Sequence, residues 1–114
     1  METDDPPPMR YAIEESKKST HKFQMGAAIV KGNRVLSRAH NINKTHPTFG
    51  SGQYKRLHAE GHAIYKAVRN GLSLEGSTIY VFRKNHTLAK PCSCCMGLIH
   101  KYGIKEIIYS GDVT

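Results

Sequence analysis

The chain has no apolar run approaching the ~20 residues that a membrane span needs, so no membrane association is expected. It lacks a basic-then-apolar leader, so secretion is not expected and a cytoplasmic location is. Cysteine is scarce: there are three, an odd number, all within Cys92-Ser93-Cys94-Cys95. That argues against a disulfide framework and for thiolates used as ligands or redox groups in a reducing compartment. Acidic residues are also few, 9 against 17 lysines and arginines, for a formal net charge of +8 at pH 7. Such a surface favours polyanions or phosphorylated small molecules. No arginine-rich tract stands out, however, and solubility alone accounts for the same charge. No internal repeat is visible.

What is present is a chain of 114 residues, 39% hydrophobic, enough for one domain with one modest core. Residues 1–8, acidic and then Pro6-Pro7-Pro8, read as a flexible tail, and residues 9–114 as the single domain. Pro8 to Lys18 has helical character, with Met9, Ala12 and Ile13 apolar and the opposite face charged. Gly26-Ala27-Ala28-Ile29-Val30 reads as a buried strand, Gly32-Asn33 as a tight turn and Arg34 to His40 as the returning strand of an antiparallel hairpin. Asn41 to Arg56 is polar and reads as a long loop, of a length that is often functional. His58 to Asn70 predicts a helix with Ala63, Ile64, Ala67 and Val68 on its apolar face and Gly71 as its stop. Ser77 to Phe82 reads as a strand, His86 to Lys90 as a loop, Cys92 to Tyr102 as a helix opened by Pro91, and Ile104 to Tyr109 as a last strand. Strands alternating with helices at this spacing imply crossover units on one sheet covered by helices.

Two motifs carry chemistry. Cys92 and Cys95, two residues apart at the start of a helix, can offer both thiolates to one metal, and a helix N-terminus favours the anionic sulfurs. His58 opens the other long helix. If both helices follow strands that point the same way, their N-termini meet at one edge of the sheet. Three protein ligands then converge on zinc and leave one coordination position open, which distinguishes a catalytic zinc from a structural one. Glu60, two residues after His58, is placed to accept a proton from a water held by the metal and deliver it elsewhere. Zinc lowers the pKa of such a water to about 7.

Alone, Cys-x-x-Cys also fits a redox pair, and His-x-Glu is weaker still. Together, His58-Ala59-Glu60 and Pro91-Cys92-Ser93-Cys94-Cys95, some thirty residues apart and each opening a helix, form the signature of zinc nucleobase deaminases. His62, one turn after His58, does not make a zinc-protease helix, because Ala59 stands where the glutamate would follow the first histidine. It reads as a packing or capping residue. Cys94 reads as a packed thiol, with a fourth-ligand role as the alternative. His21, His40, His46, His86 and His100 read as surface or packing residues, His46 being the best outsider for a substrate contact.

On these residues the chain resembles the cytidine and deoxycytidylate deaminase superfamily, from about Phe23 to Ser110. The resemblance implies a three-layer α/β/α fold, a mixed sheet of four to five strands with helices on both faces, and Zn2+ as cofactor. It implies that Gly26-Ala27 lies under the base, that Asn41 contacts the sugar, that the Ala59 backbone holds the base and that Phe23 lines the pocket or packs in the core. Asn43 falls with this substrate-binding set, at a position where cytidine deaminases carry glutamate. This chain offers four clear strands, so an uncovered sheet edge and the family's habit both point to a homo-oligomer. Gel filtration at high dilution giving a clean monomer would contradict that.

The expected function is hydrolytic deamination of a cytosine nucleotide or nucleoside, with Glu60 catalytic and His58, Cys92 and Cys95 holding the metal. The basic loop with Lys44, His46, Lys55 and Arg56 is a candidate phosphate holder. One alternative keeps the chemistry and changes the substrate to cytosine or adenine in single-stranded DNA or RNA, with Phe49 and Tyr54 as candidate stacking residues. The other is a non-catalytic, zinc-stabilised nucleic-acid-binding module, in which Glu60 has no evident task.

Overall fold

The computed structural model describes residues 8–19, 24–42, 58–83 and 93–109, with the side chains of Ser93 and Cys94 not described. The elements run α1 (Pro8–Ser16), β1 (Met25–Lys31), β2 (Arg34–His40), α2 (Ala59–Arg69), β3 (Thr78–Arg83), α3 (Ser93–Lys101) and β4 (Glu106–Tyr109). This is the expected order of helix, hairpin, helix, strand, helix, strand. Residues 1–7 of the predicted tail, residues 43–56 of the predicted long loop and the predicted loop His86–Lys90 lie outside the described residues, while Pro8, the last residue of the predicted tail, is the first of α1.

The sheet order is β2-β1-β3-β4. β1 pairs antiparallel with both β2 and β3, and β3 pairs parallel with β4. β2, β3 and β4 therefore point one way and β1 the other, which makes the sheet mixed. Gly32 reaches φ +62° in the two-residue turn of the hairpin, a conformation glycine adopts without a Cβ clash.

Alternation sorts the side chains into two layers. Ala27 and Ile29 on β1 lie beside Ala39 on β2 and Val81 and Ile79 on β3. All five are fully buried, in one cluster with Ala59, Ala63, Ile64 and Ala67 of α2 and Ile99 of α3. The small side chains of Ala59, Ala63 and Ala67 recur every four residues, so this stripe of α2 can lie close against the sheet.

The other face of β1 carries Gly26, Ala28 and Val30, and α1 covers it. The contact is closest at Gly26, where a Cβ would overlap the Ala12 carbonyl oxygen and lie 2.6 Å from the Ser16 backbone nitrogen. Sequence resemblance placed Gly26-Ala27 under the base. The structure gives Gly26 a packing duty on the α1 side, while Ala27 packs in the α2 core. Gly26→Ala should therefore destabilise the fold by about 3 kcal/mol or more, because backbone rather than a movable side chain fills the space. Urea unfolding checks this, and a loss below about 1 kcal/mol would contradict it.

Several element ends differ from expectation by one or two residues, two of them for an evident local reason. α1 stops at Ser16, whose hydroxyl donates to the Ile13 carbonyl at 2.6 Å. β4 begins at Glu106 rather than Ile104, because the Ile104 N–H donates to Ile99 at the end of α3 and the Lys105 N–H to Ser77. β3 continues to Arg83, one residue past the predicted end.

Candidate metal and catalytic site

α2 follows β2 and α3 follows β3, and these two strands point the same way. Both helices therefore start at the same edge of the sheet, which meets the condition set by the sequence. His58 stands at the N-cap of α2 in extended conformation, and its ring does not cap the helix. The ring's Nδ1 lies instead 3.7 Å from the Sγ of Cys95, in the first turn of α3 and fully buried. A nitrogen and a sulfur bound to one tetrahedral zinc at about 2.1 and 2.3 Å stand about 3.6 Å apart. The observed separation fits that arrangement.

Glu60 completes the cluster. One ligand atom from each of His58, Glu60 and Cys95 lies within 4.8 Å of the others. Glu60 is 1% exposed, and neither of its carboxylate oxygens has a hydrogen-bond partner among the described residues. An ionised carboxylate so placed pays a full desolvation cost, so burial raises its pKa from 4.5 to about 7. Its own backbone N–H and the charge of Arg83 oppose that rise. A half-buried imidazole and a buried thiol at a zinc-like spacing, beside a buried carboxylate with no partner among the described residues, fit a bound cation.

The structure thus brings together His58, Glu60 and Cys95 of the predicted residues. Ala59 is fully buried at the start of α2, directly between His58 and Glu60. Asn41 follows β2 and is 6% exposed; its Oδ1 accepts from the Met25 N–H at 3.0 Å, and its carbonyl accepts from the Ser19 hydroxyl at 3.1 Å. Cys92, Phe23 and Asn43 lie outside the described residues, as do Lys44, His46, Phe49, Tyr54, Lys55 and Arg56. His62 packs, as expected, through its ring Nδ1, 2.7 Å from the His40 carbonyl oxygen. The sequence reading gave Arg83 no role. Its place at the end of the strand that leads toward α3 was the available signal.

Fold and site together give a mixed sheet with helices on both faces and a His, Cys and Glu cluster, able to hold a metal ion, where two helices start. The chain matches the family described as the cytidine and deoxycytidylate deaminase zinc-binding region over residues 2–111, and it belongs to that family. It is 47% identical over 53 residues to the deoxycytidylate deaminase of Enterobacteria phage T4, a match covering 46% of this chain and 24% of the phage protein. The corresponding phage T2 enzyme shows the same identity, with 25% of its length covered, so the match spans about a quarter of these curated relatives. It is also 30% identical over 119 residues to a cytosine deaminase of Candida albicans, covering 100% of this chain and 71% of that one. Among solved structures, dCMP deaminase from cyanophage S-TIM5 superposes with a TM-score of 0.71 at 27% identity, covering 90% of this chain and 78% of that chain. No helix among the described residues is long and apolar enough to cross a membrane.

Proposed function

We propose that this protein hydrolytically deaminates a free cytosine nucleotide of the dCMP kind, releasing ammonia and the uracil nucleotide. The observation that carries this reading is Glu60, buried and with no partner for either oxygen among the described residues, beside the His58–Cys95 pair. His58, Cys92 and Cys95 would hold zinc, which supplies Lewis acidity and makes water nucleophilic near neutral pH. Glu60 takes a proton from the attacking water and passes it to N3 of the base as a C–O bond forms at C4. It then takes the proton of the new C4 hydroxyl and gives it to the departing nitrogen, so that the C4–N bond breaks, ammonia leaves and C4 becomes the carbonyl of uracil. A carboxylate whose pKa lies near the working pH suits both transfers.

The substrate class is supported by the relatives. Two phage proteins similar to this chain are deoxycytidylate deaminases, and the S-TIM5 enzyme has also been solved with dCMP and dUMP, with a TM-score of 0.69 at 25% identity over 89% of this chain and 76% of that one. The basic balance, +8 overall, suits a phosphorylated substrate. Asn41, at the end of β2, is assigned the sugar, and the Ala59 backbone the base.

Ammonia release from dCMP, CMP, deoxycytidine, cytosine and a cytosine-containing oligonucleotide tests the reading. dCMP or CMP should be turned over with the highest kcat/KM. Preference for the oligonucleotide would move the substrate to single-stranded nucleic acid. No release from any of them, with zinc bound, would favour a non-catalytic module.

A further inference from the structure

One side chain with no part in proton transfer ties the start of α2 to the end of β2. The backbone N–H of His62 donates to the His58 carbonyl at 2.9 Å, closing the first turn of α2. The ring of the same residue meets the His40 carbonyl through Nδ1 at 2.7 Å. A carbonyl only accepts, so Nδ1 carries the hydrogen. Burial holds the His62 pKa below its usual value of 6.5, and the ring is neutral near pH 7 with its tautomer set by this bond.

His40 is gripped from the other side as well. Its ring stands edge-on to that of His62, centroids 5.9 Å apart. Its Nδ1 lies 3.4 Å from Oε1 of Glu15 on α1. Glu15 in turn pairs with Lys18 at 2.9 Å and Arg38 at 3.1 Å. The residue after His40 is Asn41, held through the backbone at 3.3 Å to the Met25 carbonyl and through its side chain at 3.0 Å to the Met25 N–H. Further bonds also join α2 to β2, among them Ser37 Oγ to the Ala63 carbonyl and Lys66 Nζ to the Arg38 carbonyl. Both lie further from the start of α2 than His62 does.

We propose that His62 is a positioning residue, whose ring N–H bond to the His40 carbonyl sets the spacing between Asn41, just after β2, and the His58–Glu60 pair at the start of α2. The inference rests on the reading that Asn41 holds the substrate's sugar while the α2 start handles its base. A sugar and a base joined by one glycosidic bond tolerate little change in the distance between the groups that hold them, and misplacement by about 1 Å can cost on the order of a hundredfold in rate.

His62→Leu removes the donor and keeps an apolar side chain. His62→Asn keeps a donor, since its Nδ2 stands the same number of bonds from Cα as the histidine Nδ1. The expected result is a KM for dCMP raised roughly tenfold in His62→Leu, with kcat within about threefold of the parent and zinc content unchanged. His62→Asn should bring KM back to within about threefold of the parent. In an Asn41→Ala background, itself raised in KM, His62→Leu should add little, because both changes remove one interaction. An unchanged KM in His62→Leu, failure of His62→Asn to restore it, or full additivity with Asn41→Ala would overturn the inference while leaving the sugar-binding role of Asn41 standing. An unchanged KM in Asn41→Ala would overturn that role and the inference with it.

Discussion

Glu60→Gln binds zinc as the parent chain does and loses ammonia release by roughly a hundredfold to ten-thousandfold, the range of a general acid–base in its reaction. Two histories are open to a carboxylate in a cluster of three donors: it ligates the metal or it handles protons. The Cys-x-x-Cys spacing offers a further thiolate, Cys92, three residues before Cys95, as the proposed third ligand in place of Glu60. If Glu60 were a ligand, the variant would lose metal and activity together. Metal content by atomic emission beside an ammonia assay separates the two.

The same substitution has a signature in the metal-free chain. Burial raises the Glu60 pKa from 4.5 to about 7 in the folded state. Between those values the folded chain keeps a proton that the unfolded chain has released. The stabilisation from this buried neutral carboxyl is therefore full below pH 4.5 and is lost as the pH rises to about 7. At roughly 1.4 kcal/mol per pH unit the loss reaches about 3 kcal/mol at most. Glutamine is neutral at every pH, so metal-free Glu60→Gln should lack this slope and exceed the parent in stability at pH 8. Urea midpoints at pH 4.5 and 8 measure it. Equal slopes in both chains would contradict the burial account. A catalytic carboxylate that costs the fold stability is an expected form of trade-off.

Cys95→Ser abolishes zinc binding and with it the stabilisation that zinc confers. Cys95 is fully buried in the first turn of α3, its sulfur 3.7 Å from the His58 nitrogen, so the serine hydroxyl replaces a soft anionic ligand with a weak neutral one. A ligand that binds only the folded chain, present at a hundredfold excess over its Kd, adds about 2.7 kcal/mol. For a domain of this size that corresponds to a Tm rise on the order of 10 °C. The parent should show this rise when zinc is added to the metal-free chain, and Cys95→Ser should not. A zinc-dependent rise in the variant equal to the parent's would remove Cys95 from the metal site.

Much of the fold was legible because its signals are local. Gly32-Asn33 between two apolar runs dictates a hairpin, and Arg34 to His40 appears as the second strand with the expected bounds. The periodicity of Ala63, Ile64, Ala67 and Val68 and the stop at Gly71 define α2 to within a residue or two. His58, Glu60 and Cys95 were legible for a related reason. Short spacings at helix starts bring side chains together once the strands point the same way, and the pairings of β1 with β2 and β3 ensure that they do.

What was illegible depends on contacts between residues far apart in the chain. Gly26 reads as a strand glycine, and only the approach of Ala12 and Ser16 from α1 shows why no side chain fits there. Glu15 reads as one charge on a helix, yet it is buried and joins Lys18, Arg38 and His40. The second bond of His62 crosses from α2 to β2, 22 residues away. No periodicity encodes such polar pairs, because each depends on where the layers place their ends.

The most direct test of the zinc-dependent deaminase reading is ammonia release from dCMP by one preparation, measured zinc-loaded, after chelation and after zinc is restored. The expected result is one ammonia per uracil nucleotide formed, lost on chelation and regained with zinc. Release that survives complete removal of the metal, or none from dCMP or any other cytosine compound by a chain carrying one zinc, would contradict it.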